Sequence, residues 1–298
     1  MDAVLIENLT KYYGKTPGIR DLNLSVKEGE FFGFIGPNGA GKSTTIRTLL
    51  GLIKPTSGQA KILGLDIQKE QNKILSLIGY LPAEAAFYSG MKVKDVLKFS
   101  AALRRKDCSQ EAAALCQRLC LDPDRKVDEL SFGNRKKVSI VSALMHDPPL
   151  LILDEPTSGL DPLMQHEFFS ILREKNRKGT TIFLSSHILS EIQQNCHRAA
   201  IIREGRLIAC DSVEALSKTN AKRIVIQGKV SLSELKGVRS AVQTEQGVSF
   251  LYSGKIPVLL ETLAKSQITD LTITDPDLEE IFMHYYQEEE KGYDDHHA

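Results

Sequence analysis

Phe31-Phe32-Gly33-Phe34-Ile35-Gly36-Pro37-Asn38-Gly39-Ala40-Gly41-Lys42-Ser43-Thr44 decides the fold. The apolar run Phe31–Ile35 reads as a buried strand, and Thr45-Ile46-Arg47-Thr48-Leu49-Leu50 after it has helical character. Between them Gly36 to Ser43 fits the phosphate-binding pattern G-x-x-x-x-G-K-S. Glycines let the backbone wrap close to an anion, and successive N–H groups form a nest completed by the positive end of the helix. A lysine at position 42 bridges β- and γ-phosphates, and a hydroxyl at position 43 holds Mg²⁺.

Upstream, Val4-Leu5-Ile6 and Leu22 to Val26 read as strands, with Tyr12-Tyr13 in a turn between them. An aromatic ring there stacks on a base or packs on an edge strand; position alone leaves both open. Downstream, Lys54-Pro55-Thr56-Ser57-Gly58 reads as a turn, Gln59 to Leu63 as a strand and Leu77 to Pro82 as a strand ended by proline. Met91 to Asp122 has helical periodicity and reads as an insertion too short for a coiled-coil arm. Leu130-Ser131-Phe132-Gly133-Asn134 opens a helix over Arg135 to Met145, with Ser131 as N-cap.

Leu150-Leu151-Ile152-Leu153 suits a parallel strand buried on both faces, and Asp154-Glu155 sits at its C-terminal end, where open α/β sheets bind ligands. Adjacent strand residues point opposite ways, so Asp154 is free to orient Mg²⁺ while Glu155 polarises a water. Ser158 to Pro162 turns into a helix, Thr180 to Ser185 is another buried strand, and His187 follows on the same rim. Ala199 to Arg203 and Arg206 to Ala209 flank Glu204-Gly205 as a hairpin.

From Ser217 the character changes. Arg223–Gln227, Ser231–Leu235, Ser240–Thr244, Val248–Tyr252, Ile256–Ala264 and Gln267–Ile273 read as β-α-β-β-α-β, a small α+β ferredoxin-like domain. Asp275-Pro276-Asp277 starts a last helix through Tyr286, and the acidic end with His296-His297 reads as a solvated tail.

The 298 residues suffice for one large domain or two ordinary ones, and Lys plus Arg balance Asp plus Glu at 38 each. That balance gives no global charge that argues for nucleic acid or an anionic membrane surface. No run approaches the ~18 apolar residues of a membrane span, and the N-terminus shows no secretory pattern. Five cysteines without an export signal are expected reduced; Cys116 and Cys120 read as core thiols on one helix face rather than a metal site.

With these motifs in their order, residues 3 to 215 resemble the ATP-binding subunit of an ABC transporter. The resemblance implies an α/β P-loop NTPase core with an antiparallel β subdomain and a helical subdomain. It places an ATPase domain over 1–217, with the helical part about 84–146, a small domain over 221–287 and a tail over 288–298. Tyr13 matches the adenine-stacking aromatic; Gly36, Pro37, Asn38, Gly39, Ala40, Gly41, Lys42, Ser43 and Thr44 the Walker A loop. Ser131, Phe132, Gly133 and Asn134 match the signature that meets ATP in trans, Asp154 and Glu155 Walker B, Asp161 the D-loop and His187 the switch histidine. ATP and Mg²⁺ are then expected, with catalysis by Glu155 and His187. Expected partners are a second nucleotide-binding subunit and a separate integral membrane permease docking near Ala83 to Phe99, with no nucleic acid. The chain would lie on the cytoplasmic side of the membrane, peripheral through its permease, and the C-terminal extension resembles exporter subunits. A soluble ABC ATPase of ribosomes or DNA is the alternative, but this chain has one cassette and no coiled-coil insertion. A low-turnover regulatory module is the other.

Three positions depart from the family pattern. Ala83, followed by Glu84, stands where a glutamine is usual, Phe132 replaces the first signature glycine, and Asn134 a glutamine. Alanine reaches neither Mg²⁺ nor water, and Glu84 is shifted by one residue, so active but slowed hydrolysis is expected.

Overall fold

The computed structural model describes residues 1–84, 86–217, 222–230, 232, 235–244, 247–264 and 266–274. The chain divides into two compact units, Met1–Val213 and Glu214–Ala298.

In the first unit the strands are β1 (Asp2–Tyr13), β2 (Thr16–Lys27), β3 (Phe31–Ile35), β4 (Ser57–Ile62), β5 (Leu65–Asp66), β6 (Ile78–Leu81), β7 (Leu150–Asp154), β8 (Thr181–Ser186), β9 (Arg198–Arg203) and β10 (Arg206–Ser212). The helices are α1 (Lys42–Leu49), α2 (Gln71–Leu77), α3 (Val93–Leu103), α4 (Ser109–Arg118), α5 (Phe132–Leu144), α6 (Pro162–Arg177) and α7 (Leu189–Asn195). One sheet runs β2-β1-β4-β5; the other, six-stranded, runs β10-β9-β3-β8-β7-β6. The first is antiparallel, and its apolar face shares a core with β3, α1 and β9.

Every residue of β3, β7 and β8 is buried, as parallel strands covered on both faces must be. Their registers align Ile35 with Ser186 and Asp154 with Ser185, so three strand ends meet on one rim. Phe183 on β8 packs between Phe32 and Phe34 at centroid distances of 5.8 and 5.3 Å, each pair worth ~0.5–1.5 kcal/mol beyond its burial. The β9–β10 turn has positive φ at both Glu204 (49°) and Gly205 (78°), as a two-residue hairpin requires.

The structure moves several boundaries. Tyr12 and Tyr13 finish strand β1 rather than forming a turn, because Tyr12 pairs with Pro17 and Tyr13 with Thr16. The helix after the glycine loop starts at Lys42, three residues earlier than its apolar pattern. Leu77 ends α2, which the sequence does not announce: of its residues only Ile74 is buried. The stretch Met91 to Asp122 is two helices, α3 and α4, broken at Arg104 to Cys108. Helix α5 starts at Phe132, where Ser131 Oγ accepts the Asn134 N–H at 3.3 Å. Cys116 is buried, but Cys120 lies beyond α4, exposed and at positive φ, so the two thiols do not share a core face.

Helix α8 (Val213–Ser217) spans the division between the units. The second unit holds β11 (Lys222–Lys229), β12 (Val238–Thr244), β13 (Gly247–Tyr252), α9 (Ile256–Leu263) and β14 (Gln267–Thr274). Its sheet is antiparallel in the order β12-β13-β11-β14, over a core including Ile224, Phe250 and Leu259. The helix expected over Ser231–Leu235 falls partly outside the described residues. The last helix from Asp275 and the tail with His296-His297 fall wholly outside them.

Candidate active site

The loop after β3 is shaped by its glycines. Gly41 caps α1 at φ 105°, a region closed to most side chains, and a Cβ there would strike the Gly18 carbonyl. The carbonyl of Ala40 accepts the Gly205 N–H at 2.9 Å, so the β9–β10 turn braces the loop. Lys42 is only 6% exposed. Its ammonium donates to the Gly36 and Pro37 carbonyls at 2.6 and 3.2 Å, and the loop therefore curls around a cation. Thr45 and Thr48 hydroxyls bond back to the helix, whereas the Ser43 and Thr44 hydroxyls have no hydrogen-bond partner among the described residues.

At the end of β7 the two carboxylates separate. Asp154, 1% exposed, accepts from Ser185 Oγ at 2.7 Å, which fixes its Oδ1 and leaves Oδ2 free. Glu155 takes φ 47°, unusual for a glutamate, and donates its N–H to the Ser185 carbonyl at 3.2 Å. This kink turns the Glu155 side chain toward the glycine loop: Oε1 lies 3.1 Å from Lys42 Nζ in an ion pair, although it accepts no hydrogen bond. The other oxygen, Oε2, meets His187 Nδ1 at 2.6 Å. An ionised carboxylate only accepts, so Nδ1 carries the proton in this contact. Strained backbone at such a cluster is typical of functional sites. Tyr80 on the neighbouring strand has its hydroxyl pKa pushed up to about 12, first by burial and then by the Asp154 charge.

Tyr13 is 48% exposed, with Lys11 Nζ 5.3 Å from its ring centroid. An added Cβ on Gly18 would lie 3.1 Å from the Tyr13 ring and 3.0 Å from Thr44, which places the ring beside the glycine loop.

Ser131, Phe132, Gly133, Asn134 and Asp161 form a second group. A Cβ on Gly133 would come within 2.5 Å of the Gly159 carbonyl, and one on Gly159 would strike the Phe132 ring. The signature and the turn before α6 are thus in contact, with Phe132 half exposed above Gly159. Asp161 caps α6 through the Met164 N–H at 3.0 Å. Among the described residues none of this group hydrogen-bonds to the glycine loop. Ala83 and Glu84 follow β6; the Ala83 carbonyl accepts from Lys136 Nζ at 2.8 Å, and the Glu84 charge acts on the same ammonium.

Sequence reasoning missed Ser185, Glu191 and Lys136. Glu191 on α7 is buried, accepts from Ser186 Oγ at 2.7 Å, and burial raises its pKa. Ser185 ends the apolar run Ile182–Leu184, and only the register of β7 with β8 brings it to Asp154. No group of His, Cys, Asp or Glu among the described residues makes a metal cage.

A parallel sheet with a phosphate-shaped loop after one strand and a carboxylate pair after another defines a P-loop nucleoside triphosphatase. A family model described as ABC transporter matches residues 19–158. The chain is 41% identical to the bacitracin transport ATP-binding protein BcrA of Bacillus licheniformis over 227 residues, 74% of this chain and 73% of that one. It is 32% identical to the linearmycin resistance ATP-binding protein LnrL of Bacillus subtilis, over 93% of this chain and 96% of that one. A solved ATP-binding subunit of an ABC transporter superposes with a TM-score of 0.68 at 30% identity, covering 72% of this chain and 91% of that one. A dimeric bacterial ABC transporter cassette superposes at 0.64 with 24% identity, over 70% of this chain and 98% of that one, a likeness of fold alone. The chain belongs to the ABC transporter family as an ATP-binding subunit, an ATPase.

Proposed function

We propose that this chain powers a membrane exporter through ATP-driven pairing of two nucleotide-binding subunits, coupled to a permease on a separate chain. The observation that carries the catalytic reading is the Lys42–Glu155–His187 cluster on the rim where β3, β7 and β8 end. Relatives named for bacitracin transport and linearmycin resistance support export as the direction. Among the described residues no helix is long and apolar enough to cross a membrane, which fits a permease supplied in trans.

The residues present suit the expected ligands. The N–H groups of Gly39, Gly41, Lys42, Ser43 and Thr44 bind phosphate oxygens, while that of Ala40 stays on the Pro37 carbonyl; Lys42 moves its ammonium from carbonyl acceptors to phosphate, and Tyr13 stacks on the base. Ser43, with its hydroxyl unengaged, and Asp154, with Oδ2 free, are the residues to hold Mg²⁺, completed by phosphate and water as this cation prefers. Bound there, Mg²⁺ would neutralise charge developing on the transferred phosphoryl group. Glu155 then accepts the proton of the attacking water, and His187, held through Nδ1, keeps the carboxylate aimed. Ser131, Phe132, Gly133, Asn134 and Asp161 close over the partner's nucleotide, at a helix N-terminus that favours anions.

For the permease we propose the face around Tyr88 and Phe99, an exposed edge-to-face pair 6.3 Å apart. Lys92 and Lys94 also border it, but both are committed to Asp124, at 3.9 and 2.6 Å. Charge reversal there would also break these exposed ion pairs. We further propose that the second unit is a ferredoxin-like domain supporting the dimer.

The test of subunit pairing is the molar mass of the full-length Glu155→Gln chain with and without MgATP. An ATP-dependent shift from monomer to dimer is expected; a monomer under both conditions would remove the mechanism.

A further inference from the structure

The loop that follows β6, Pro82-Ala83-Glu84, has no side chain able to reach back into the site except that of exposed Glu84. What engages the loop comes from the opposite direction. Lys136, in the second turn of α5, is 3% exposed and donates to the Pro82 carbonyl at 3.0 Å and the Ala83 carbonyl at 2.8 Å. Burial lowers its pKa to about 8 against the pull of the Asp154, Glu155 and Glu84 charges.

A buried ammonium is costly to desolvate, and a helix packed this closely would accept an apolar residue at the same position more cheaply. Here two backbone carbonyls fix where that cation sits. Its position joins three parts of the enzyme. It lies five residues after Ser131 on the signature helix. It clamps the segment leading from β6 into the helical subdomain. It feels the field of both carboxylates that end β7.

We propose that Lys136 is a positioning residue for hydrolysis: it ties the signature helix to the Pro82–Ala83 backbone in register with Asp154 and Glu155, the link that Ala83 has no side chain to make. The proposal rests on the site reading above. The Lys136 ammonium is taken up by the Pro82 and Ala83 carbonyls. It acts by holding α5 and the loop at fixed distance from the reacting centre, so its loss lowers turnover rather than nucleotide affinity.

The test uses the full chain with four variants: Lys136→Met, Lys136→Arg, Lys136→Met with Ala83→Gln, and Glu155→Gln as the inactive reference. MgATP affinity, kcat, KM and thermal midpoint are measured for each. Lys136→Met is expected to bind MgATP within about 2-fold of wild type and to lose at least ~10-fold in kcat. Lys136→Arg, which keeps a buried donor, should recover most of it. Ala83→Gln in the Met background should restore part of the loss, which a residue serving only stability would not permit. If Lys136→Met fails to fold, the kcat of Lys136→Arg relative to a Lys136→Gln variant carries the same comparison. Wild-type kcat in Lys136→Met beside an inactive Glu155→Gln overturns the proposal alone, as does an equal loss in Lys136→Met and Lys136→Arg. Wild-type turnover by Glu155→Gln overturns the site reading and the proposal with it.

Discussion

Replacing Ser185 with alanine removes one hydroxyl from the interior of the parallel sheet. That hydroxyl donates to Asp154 Oδ1 at 2.7 Å, and both residues are at most 1% exposed, so no water takes its place. A hydrogen bond to a charged group is worth ~1.5–3 kcal/mol, and the orphaned oxygen stays buried. In a unit the size of Met1–Val213, each kcal/mol moves the midpoint by ~2–4 °C, so Ser185→Ala should lower it by ~3–12 °C. The alanine is smaller than serine; it also removes the weak acceptor that Ser185 Oγ offers the Glu155 N–H at 3.4 Å, a bond that the Ser185 carbonyl still supplies. A second effect follows from the same geometry: an Asp154 free to rotate holds Mg²⁺ less well, and the Mg²⁺ needed for half-maximal ATPase activity should rise ~10-fold, as when a metal ligand loses its outer support. Calorimetry without nucleotide measures the first effect and a Mg²⁺ titration of ATPase activity the second. A midpoint within ~1 °C of wild type with an unchanged Mg²⁺ requirement would refute the view that Ser185 orients Asp154.

Three further outcomes are expected. Gly41→Ala puts a Cβ against the Gly18 carbonyl at φ 105°; strain of ~1–3 kcal/mol should open the loop and weaken MgATP binding at least ~10-fold by titration calorimetry. His146 is buried, with Arg104, Lys106 and Lys175 around it, and burial, seconded by those cations, lowers its pKa to about 4. The unfolded chain takes up a proton as pH falls through about 6.5 and the folded one only near 4, so stability is lost across that window at up to ~1.4 kcal/mol per pH unit. Urea unfolding at pH 7, 6 and 5 should show a shallower loss for His146→Asn. Phe99→Ser should weaken capture of the permease from solubilised membranes while leaving the ATPase rate of the isolated chain within ~2-fold; unchanged capture would move the docking face elsewhere.

The strands β3, β7 and β8 were legible because burial on both faces demands apolar runs. The glycine loop and the Asp154-Glu155 pair followed from phosphate chemistry at strand ends. Short helices α2 and α7 were not legible, since seven residues with one to three buried positions leave almost no periodic signal. Gly133 hid the true start of α5, although the Ser131 cap announced it. The positive φ of Glu155 is a property of the rim, imposed by the turn from β7 toward Thr157, and no residue type there predicts it. Lys136 was missed because a lysine on a helix is ordinarily a solvated face, whereas packing around α5 buries Lys136 and Lys137 together with the apolar positions.

The proposed function turns on the coupling of this ATPase to a separate membrane permease. Its most direct test is affinity capture of the tagged full-length chain from detergent-solubilised membranes of its source cell, with the bound proteins identified by mass spectrometry. One polytopic membrane protein in near-stoichiometric amount is expected. Ribosomal proteins or nucleic acid without any membrane protein would contradict it.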